Sequence, residues 1–409
     1  NVPGAPPADR ERVVLTGDNF RMKAHEMYAD FKNKYARGLG EVWILRKAEE
    51  APDEDLGDIS KSLRKRDTEI ETDEAFYHWK DAYVRMPGSL EARQEGADLE
   101  AGRGYMDTKR NTISLSEGVR LHQQEGGRLV EDGIVREDAS DRMKEAAEEE
   151  TFVDSRMLEV NLETEDLSAR GDVIVEQEKR RLTGEAAVFD SASSLWTVYG
   201  RPMLREEDHR VVADTLSYDE ESGEYTATGA AEAEVAIDEK HYDDIREFYE
   251  SRGDPPPAHM RHERALVYSD SIRHDDARGL TWSHDRPRVV YRDIEIVSDS
   301  AMVDHSSDTA TGTGNVVITD PHTKIRSDSY FIDYSARLAR LRGTVRLVEK
   351  GRPATPTRDK REPFELESEY LDYYWERRSG TATGGVVLRS AEGDRWASAD
   401  RLEMKGDKE

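Results

Sequence analysis

One glycine returns at a fixed interval in this chain, and that interval constrains the fold more than any other feature. Gly171 opens GDVIV, Gly200 opens GRPML and Gly229 opens GAAEA, at two equal steps of 29 residues. Gly314 opens GNVVI and Gly343 opens GTVRL, a third step of 29 residues. A period of this size marks a chain that repeats one supersecondary unit, because a single unit cannot bury its own apolar face.

The rest of the unit repeats with the glycine. About fifteen residues upstream lies an apolar–Ser/Ala–Asp step followed by an alternating strand, as in VVADTLSYDEESGEYTATG (211–229), IVSDSAMVDHSSDTATGTG (296–314) and IRSDSYFIDYSARLARLRG (325–343). LESEYLDYYWERRSGTATG (366–384) follows the same line, and looser copies run over 20–40 and 97–118. Tyr330, Ile332 and Tyr334 share one face of an extended segment, as do Val345 with Leu347 and Val316 with Ile318. A two-residue period is that of a half-buried strand. Clusters of Asp, Ser and Gly between the strands are turn formers. The glycine is expected where the chain turns from one strand to the next, since it tolerates positive φ and close backbone approach.

Three segments break the pattern. Residues 46–73 are charge-rich and show no alternating strand, 131–151 read as an acidic helical insertion, and 238–264 place Tyr242, Ile245, Phe248 and Tyr249 at helical spacing before prolines. A shorter Pro-rich loop surrounds Gly351. The step from Gly229 to Gly314 is 85, close to three periods, so the third insertion takes the place of part of a unit. The organisation is therefore a linker over 1–12, repeats over 13–130, the insertion 131–151, repeats over 152–237, the insertion 238–264 and repeats over 265–409.

Composition narrows the function. Hydrophobic residues make up 36 % of the 409 and charged residues another 36 %, too little apolar material for a compact sphere but enough for a thin array. A net charge of −28 argues against nucleic acid as partner and against lying flat on an anionic membrane. There is no cysteine, hence no disulfide, thiolate nucleophile or Cys-based metal site. No apolar run approaches the roughly 18 residues of a membrane helix. The chain opens at Asn1 rather than Met, compatible with a removed signal peptide or anchor.

Chemistry-bearing motifs are weak. His274, Asp275 and Asp276 with Asp270 offer metal-ligand types, yet a polar turn accounts for them. Asp219 to Glu224 loosely suggests a calcium loop without the EF-hand spacing. Gly312 to Asn315 lacks the third glycine of a dinucleotide fingerprint. No catalytic residue, metal ligand or cofactor site stands out. Trp43, Trp79, Trp196, Trp282, Trp375 and Trp396 are candidates for a sugar-stacking track, with strand-end packing as the alternative. The repeated apolar face is the feature above background. It forms either an open groove for acyl chains, at ~0.8 kcal/mol per buried methylene, or a filled solenoid core. Periodicity alone leaves both open.

The unit in VVADTLSYD … ATGAAEAEV, IVSDSAMVD … GTGNVVI, IRSDSYFIDY … LRGTVRL and LESEYLDYY … ATGGVVL resembles that of the OstA-like (LptA-type) lipopolysaccharide-transport proteins, from about residue 150 onward. The resemblance implies an all-β, elongated β-jellyroll, taco-like, or a solenoid of stacked OstA-like repeats with a few helical insertions. It implies a non-enzymatic, exported periplasmic protein of a Gram-negative-type envelope. In that reading the chain holds lipopolysaccharide or a similar glycolipid and joins other jellyroll subunits end to end through edge strands, with a homo-oligomer as one form. The lipid-binding groove is then expected to be lined by Val173, Val175, Val316, Ile318, Ile332, Val345, Leu347, Val386 and Leu388. The length, the insertions and the acidity depart from a short bridge subunit. An envelope structural or adhesion solenoid and a polysaccharide-processing solenoid enzyme are the competing readings.

Overall fold

A computed structural model describes residues 13–16, 20–48, 66–107, 109–124, 148–164, 166–206, 209–219, 222–236, 264–275, 278–291, 294–351, 362–374, 379–391, 393 and 395–405. These residues form twenty-nine strands and one short 3-10 turn at Ser191–Ser193. The all-β expectation holds, and the strand pairings are antiparallel throughout. The chain divides into two compact units, Asn1–Glu207 with Thr215–Gly223, and Asp208–Asp214 with Glu224–Glu409.

In the second unit the strands Thr309–Thr319, Thr323–Asp333, Leu338–Glu349, Phe364–Tyr374, Ser379–Ser390 and Trp396–Met404 pair in chain order. Their alternation sends one face inward. Leu341, Val345, Leu347, Leu366 and Leu371 are each at most 1 % exposed and belong to one core with Ile325, Tyr330 and Ile332. Fully burying a side chain of this size contributes ~1.5–3 kcal/mol.

Gly200 stands between strands, after Leu195–Tyr199 and before Met203–Glu206, as the sequence suggested, but most copies place the repeat glycine in the middle of one strand. Gly314 and Gly343 lie inside Thr309–Thr319 and Leu338–Glu349, at register shifts between Thr313 and Val316 and between Arg342 and Val345. Their φ angles are +76° and +97°. At Gly314 the next residue is also left-handed, Asn315 at +46°. Such a bulge adds a residue to one strand and bends it. Leu341 before the bend and Val345 after it share the same core, so the strand folds over and both halves face one interior.

The upstream Ser/Ala–Asp step is the other half of this device. A Cβ on Gly343 would collide with the Asp328 carboxylate, and on Gly314 with that of Asp299, each fifteen residues upstream. The same offset joins Gly40 to His25, Gly171 to Arg156, Gly200 to Glu185, Gly229 to Asp214 and Gly384 to Glu369. The residue before each of these is small, and it is buried in every copy but that of Gly184, which is half-buried. The hydroxyls of Ser298, Ser327 and Ser368 donate to the carbonyls of Ser300, Ser329 and Tyr370 at 2.9, 3.0 and 3.0 Å. Ala24 and Ala213 fill that place in other copies at 0 % and 1 % exposure. Ser327→Ala is therefore expected to cost only about 1 kcal/mol in urea unfolding, one neutral hydrogen bond. A loss of several kcal/mol would show that the serine does more than bridge the bulge.

Two further copies escaped the glycine pattern. Asp285 (φ +63°) and Arg286 (φ +60°) make the bend 29 residues before Gly314. In the copy assigned to Gly118 the bend begins at Glu117 (φ +67°), and the glycine sits fifteen residues upstream, where Gly102 packs against Glu117. Ten residues before each bend an Asp or Asn commonly closes a tight turn. Asp30, Asp107, Asn161, Asp275, Asp304 and Asp333 accept backbone N–H bonds two or three residues on. Hydrogen bonds from Ser306 and Ser307 hold the Asp304 carboxyl below its ordinary range, so its contribution is present above that range and fades as pH falls through the lowered value.

All the long connections leave the opposite strand ends. In the first unit 49–65 and 125–147 follow strands Tyr35–Arg46 and Thr112–Gln123. In the second, 237–263 and 352–361 follow Glu224–Ala236 and Leu338–Glu349. The expected insertion over 46–73 is shorter than read. Residues Thr68–His78 form a strand paired with Tyr35–Arg46, because Thr68, Ile70 and Thr72 alternate with acids that face solvent. The helical readings at 131–151 and 238–264 fall almost wholly outside the described residues, although Thr151 and Arg264 begin strands.

Candidate functional site: the inward face of the repeats

Each bend fixes two inward positions on its downstream side. The residue two after the bend is closed off in every copy. Val42, Val173, Val316, Val345 and Val386 are 1 %, 1 %, 1 %, 0 % and 1 % exposed, and Pro202 and Pro287 are equally buried. There the two halves of the strand stand closest. Four residues after the bend the interior loosens. Val175, Ile318 and Leu388 are half-buried, as are Ile44 and Leu204. Leu347 and Ala233 depart from this rule at 1 % and 7 % exposure. Ile332, on the upstream half, is 5 % exposed.

The nine lining residues read from the sequence thus all sit on the inward face, but in two environments. Val316, Val345 and Val386 of the second unit take the tight position beside the bends and Ile318 and Leu388 the looser one farther out; in the first unit Val173 and Val175 take the same two positions. Val316, Ile332, Val345, Leu347 and Val386 share one core, with Ile318 and Leu388 packed against it. Leu341, Leu366 and Leu371 belong to that core as well and were not singled out, although their alternation with polar neighbours is as regular.

Residues 295–409 match the family model described as LptA/(LptD N-terminal domain) LPS transport protein. The match covers the C-terminal repeats and stops short of the first unit. Seven of the nine residues expected to line a groove lie in the matched stretch, and Val173 and Val175 occupy the same repeat positions upstream of it. A comparison with curated proteins finds no match. Among solved structures, the chain is similar to LptH, the LptA homologous periplasmic component of the conserved lipopolysaccharide transport device from Pseudomonas aeruginosa. The identity is 11 %, over 34 % of this chain and 93 % of that one, with a TM-score of 0.27.

The other candidates take structural places around the repeats. The Asp275 carboxylate accepts the Arg278 N–H at 3.0 Å, and His274 Nδ1 bonds Thr281 Oγ1 at 2.8 Å, which also meets His305 Nε2 at 2.9 Å. Partial burial, with His274 and His209 close by, holds the His305 imidazole below its ordinary value. No group of three or more metal-ligand side chains converges among the described residues. Asp219 closes a tight turn by accepting the Ser222 N–H at 3.2 Å. Gly312 to Asn315 is one of the strand bends. Among the described residues no tryptophan is paired with another. Trp196 stacks inward on Phe189 at 4.8 Å, Trp43 lies under the Lys23 ammonium at 4.5 Å, and Trp282 lies under the Arg273 guanidinium at 5.4 Å. Trp375 lies outside the described residues, and Trp396 is 72 % exposed.

Proposed function

We propose that this chain is a non-catalytic lipopolysaccharide-transport protein of the periplasm, a lipid-binding bridge that carries the glycolipid between inner and outer membrane with its acyl chains in the apolar interior. The family match over residues 295–409 carries this reading. The inward face of the second unit's strands supports it. Each methylene kept out of water contributes ~0.8 kcal/mol, so an apolar interior offsets what a multi-chain lipid would lose on leaving a bilayer. Edge strands supply the means of joining further jellyroll subunits or copies of the chain. Among the described residues Trp396–Met404 pairs on one side only, with Ser379–Ser390. An added strand would take up its free backbone groups.

Photo-crosslinking tests the reading. Probes at Val175, Ile318 and Leu388 are expected to capture lipopolysaccharide best, those at Val173, Val316, Ile332, Val345, Leu347 and Val386 less, and those at Asp333 or Arg346 not at all. Equal labelling at inward and outward positions would remove the acyl-groove idea and favour a filled envelope solenoid.

A further inference from the structure

The outer face of the C-terminal strands has a shallow depression of about 330 Å³ that the interior reading does not use. It is lined by Arg340, Arg342, Tyr370, Asp372, Thr381 and Thr383. The register sets them in two cross-strand rows. Arg340, Asp372 and Thr381 form one, and Arg342, Tyr370 and Thr383 the other. These residues alternate with Leu341, Leu371 and Ala382 of the core, so they point away from it.

The electrostatics of this patch are unusual for the chain. Past the bend on the same strands the arginines are paired, Arg346 with Glu365 at 2.8 Å and Arg389 with Glu367 at 3.0 Å. Beside the depression, Arg401 is paired with Glu403 at 2.8 Å. Arg340 and Arg342 have no ion-pair partner among the described residues. Arg340 lies 5.6 Å from the centroid of the Phe331 ring, and the neighbouring Asp328 carboxylate accepts the Thr344 N–H at 3.1 Å. Two guanidinium groups without an ion pair, with one carboxylate (Asp372) across from Arg340, leave a net positive spot in a protein of net charge −28, a local site for an anion. Between them and the threonines stands Tyr370, 49 % exposed.

From this arrangement we infer that the depression binds a phosphorylated sugar. Guanidinium groups read phosphate through bidentate, charge-assisted hydrogen bonds. The exposed Tyr370 ring offers an apolar face to a sugar ring. Asp372, Thr381 and Thr383 supply acceptors and donors for hydroxyl groups, and Asp372 disfavours a bare, highly charged anion. The site lies outside the interior and does not depend on lipid being held there.

Titration of the full chain with glucose 6-phosphate, glucose and inorganic phosphate, followed by ligand-observed NMR, tests it. Glucose 6-phosphate is expected to bind at least about tenfold tighter than either fragment, since each fragment meets half of the site. The double variant R340A/R342A should lose that binding about tenfold or more, Y370A several-fold, and R340K/R342K an intermediate amount, because lysine keeps the charge without the fork. R389A, which removes a paired outer-face arginine, should change nothing. Inorganic phosphate binding as well as the sugar phosphate, with Y370A silent, would reduce the site to an anion patch and overturn the proposal, as would no binding at all. Lipopolysaccharide capture by the interior probes, measured on R340A/R342A, separates the two readings: it should stay at the wild-type level whichever way the sugar titration falls.

Discussion

Gly343→Ala is expected to lower the unfolding free energy by about 3 kcal/mol in urea titration, while Gly385→Ala lowers it by about 1 kcal/mol. Both glycines are left-handed, at φ +97° and +58°. Any L residue meets that backbone cost, roughly 1–2 kcal/mol. The difference lies in what the new methyl meets. Nothing stands within 4 Å of a Cβ on Gly385, whereas one on Gly343 runs into the Asp328 carboxylate. Asp328 must then move, and the Thr344 N–H loses its 3.1 Å acceptor inside the bend. That lost bond adds about 1 kcal/mol. Equal losses in the two variants would mean that the fifteen-residue pairing of step and glycine is incidental and that only φ matters at the bend.

The same pairing marks how far the sequence could be read. The glycines at 29-residue steps and the Ser–Asp step upstream were visible because both are constrained by contact, glycine by the absence of a Cβ and serine by its size and hydroxyl. Their joint role was not visible, because nothing in one dimension says that two residues fifteen apart touch across a strand bend. The copy at Asp285 was hidden for a related reason. Asp tolerates the left-handed region well enough to replace glycine there, with the buried Pro287 two residues on where other copies place Val316 or Val345. Stepping back 29 residues from Gly314 would have found it. The inward face was legible from alternation, but the grading along it was not. Val316 and Ile318 look alike in sequence, and only the distance from the bend makes one closed and the other half-open.

Leu347→Ala brings stability and function into one measurement. Leu347 is 1 % exposed at the position where Val175, Ile318 and Leu388 are half-buried, so it closes the interior where those copies leave room. Truncating a buried leucine costs about 2–5 kcal/mol, and a site between two facing walls collapses poorly, so a loss of about 3 kcal/mol is expected. Leu371→Ala, paired with Leu341 on the half of the sheet upstream of the Gly343 bend and 0 % exposed, should cost a similar amount. Lipid should tell the two apart. A ligand that binds only the folded chain stabilises it by about 2.7 kcal/mol at a hundredfold excess over Kd. If acyl chains occupy the looser line four residues past each bend, lipopolysaccharide should restore most of the stability lost in Leu347→Ala, because the vacated volume extends that line. It should restore less in Leu371→Ala, whose cavity lies on the upstream half. Thermal unfolding of both variants with and without lipopolysaccharide gives the comparison. Equal recovery would place the lipid elsewhere than the looser line, and no shift in either variant or in the wild type would leave the interior as a core that the protein fills for itself.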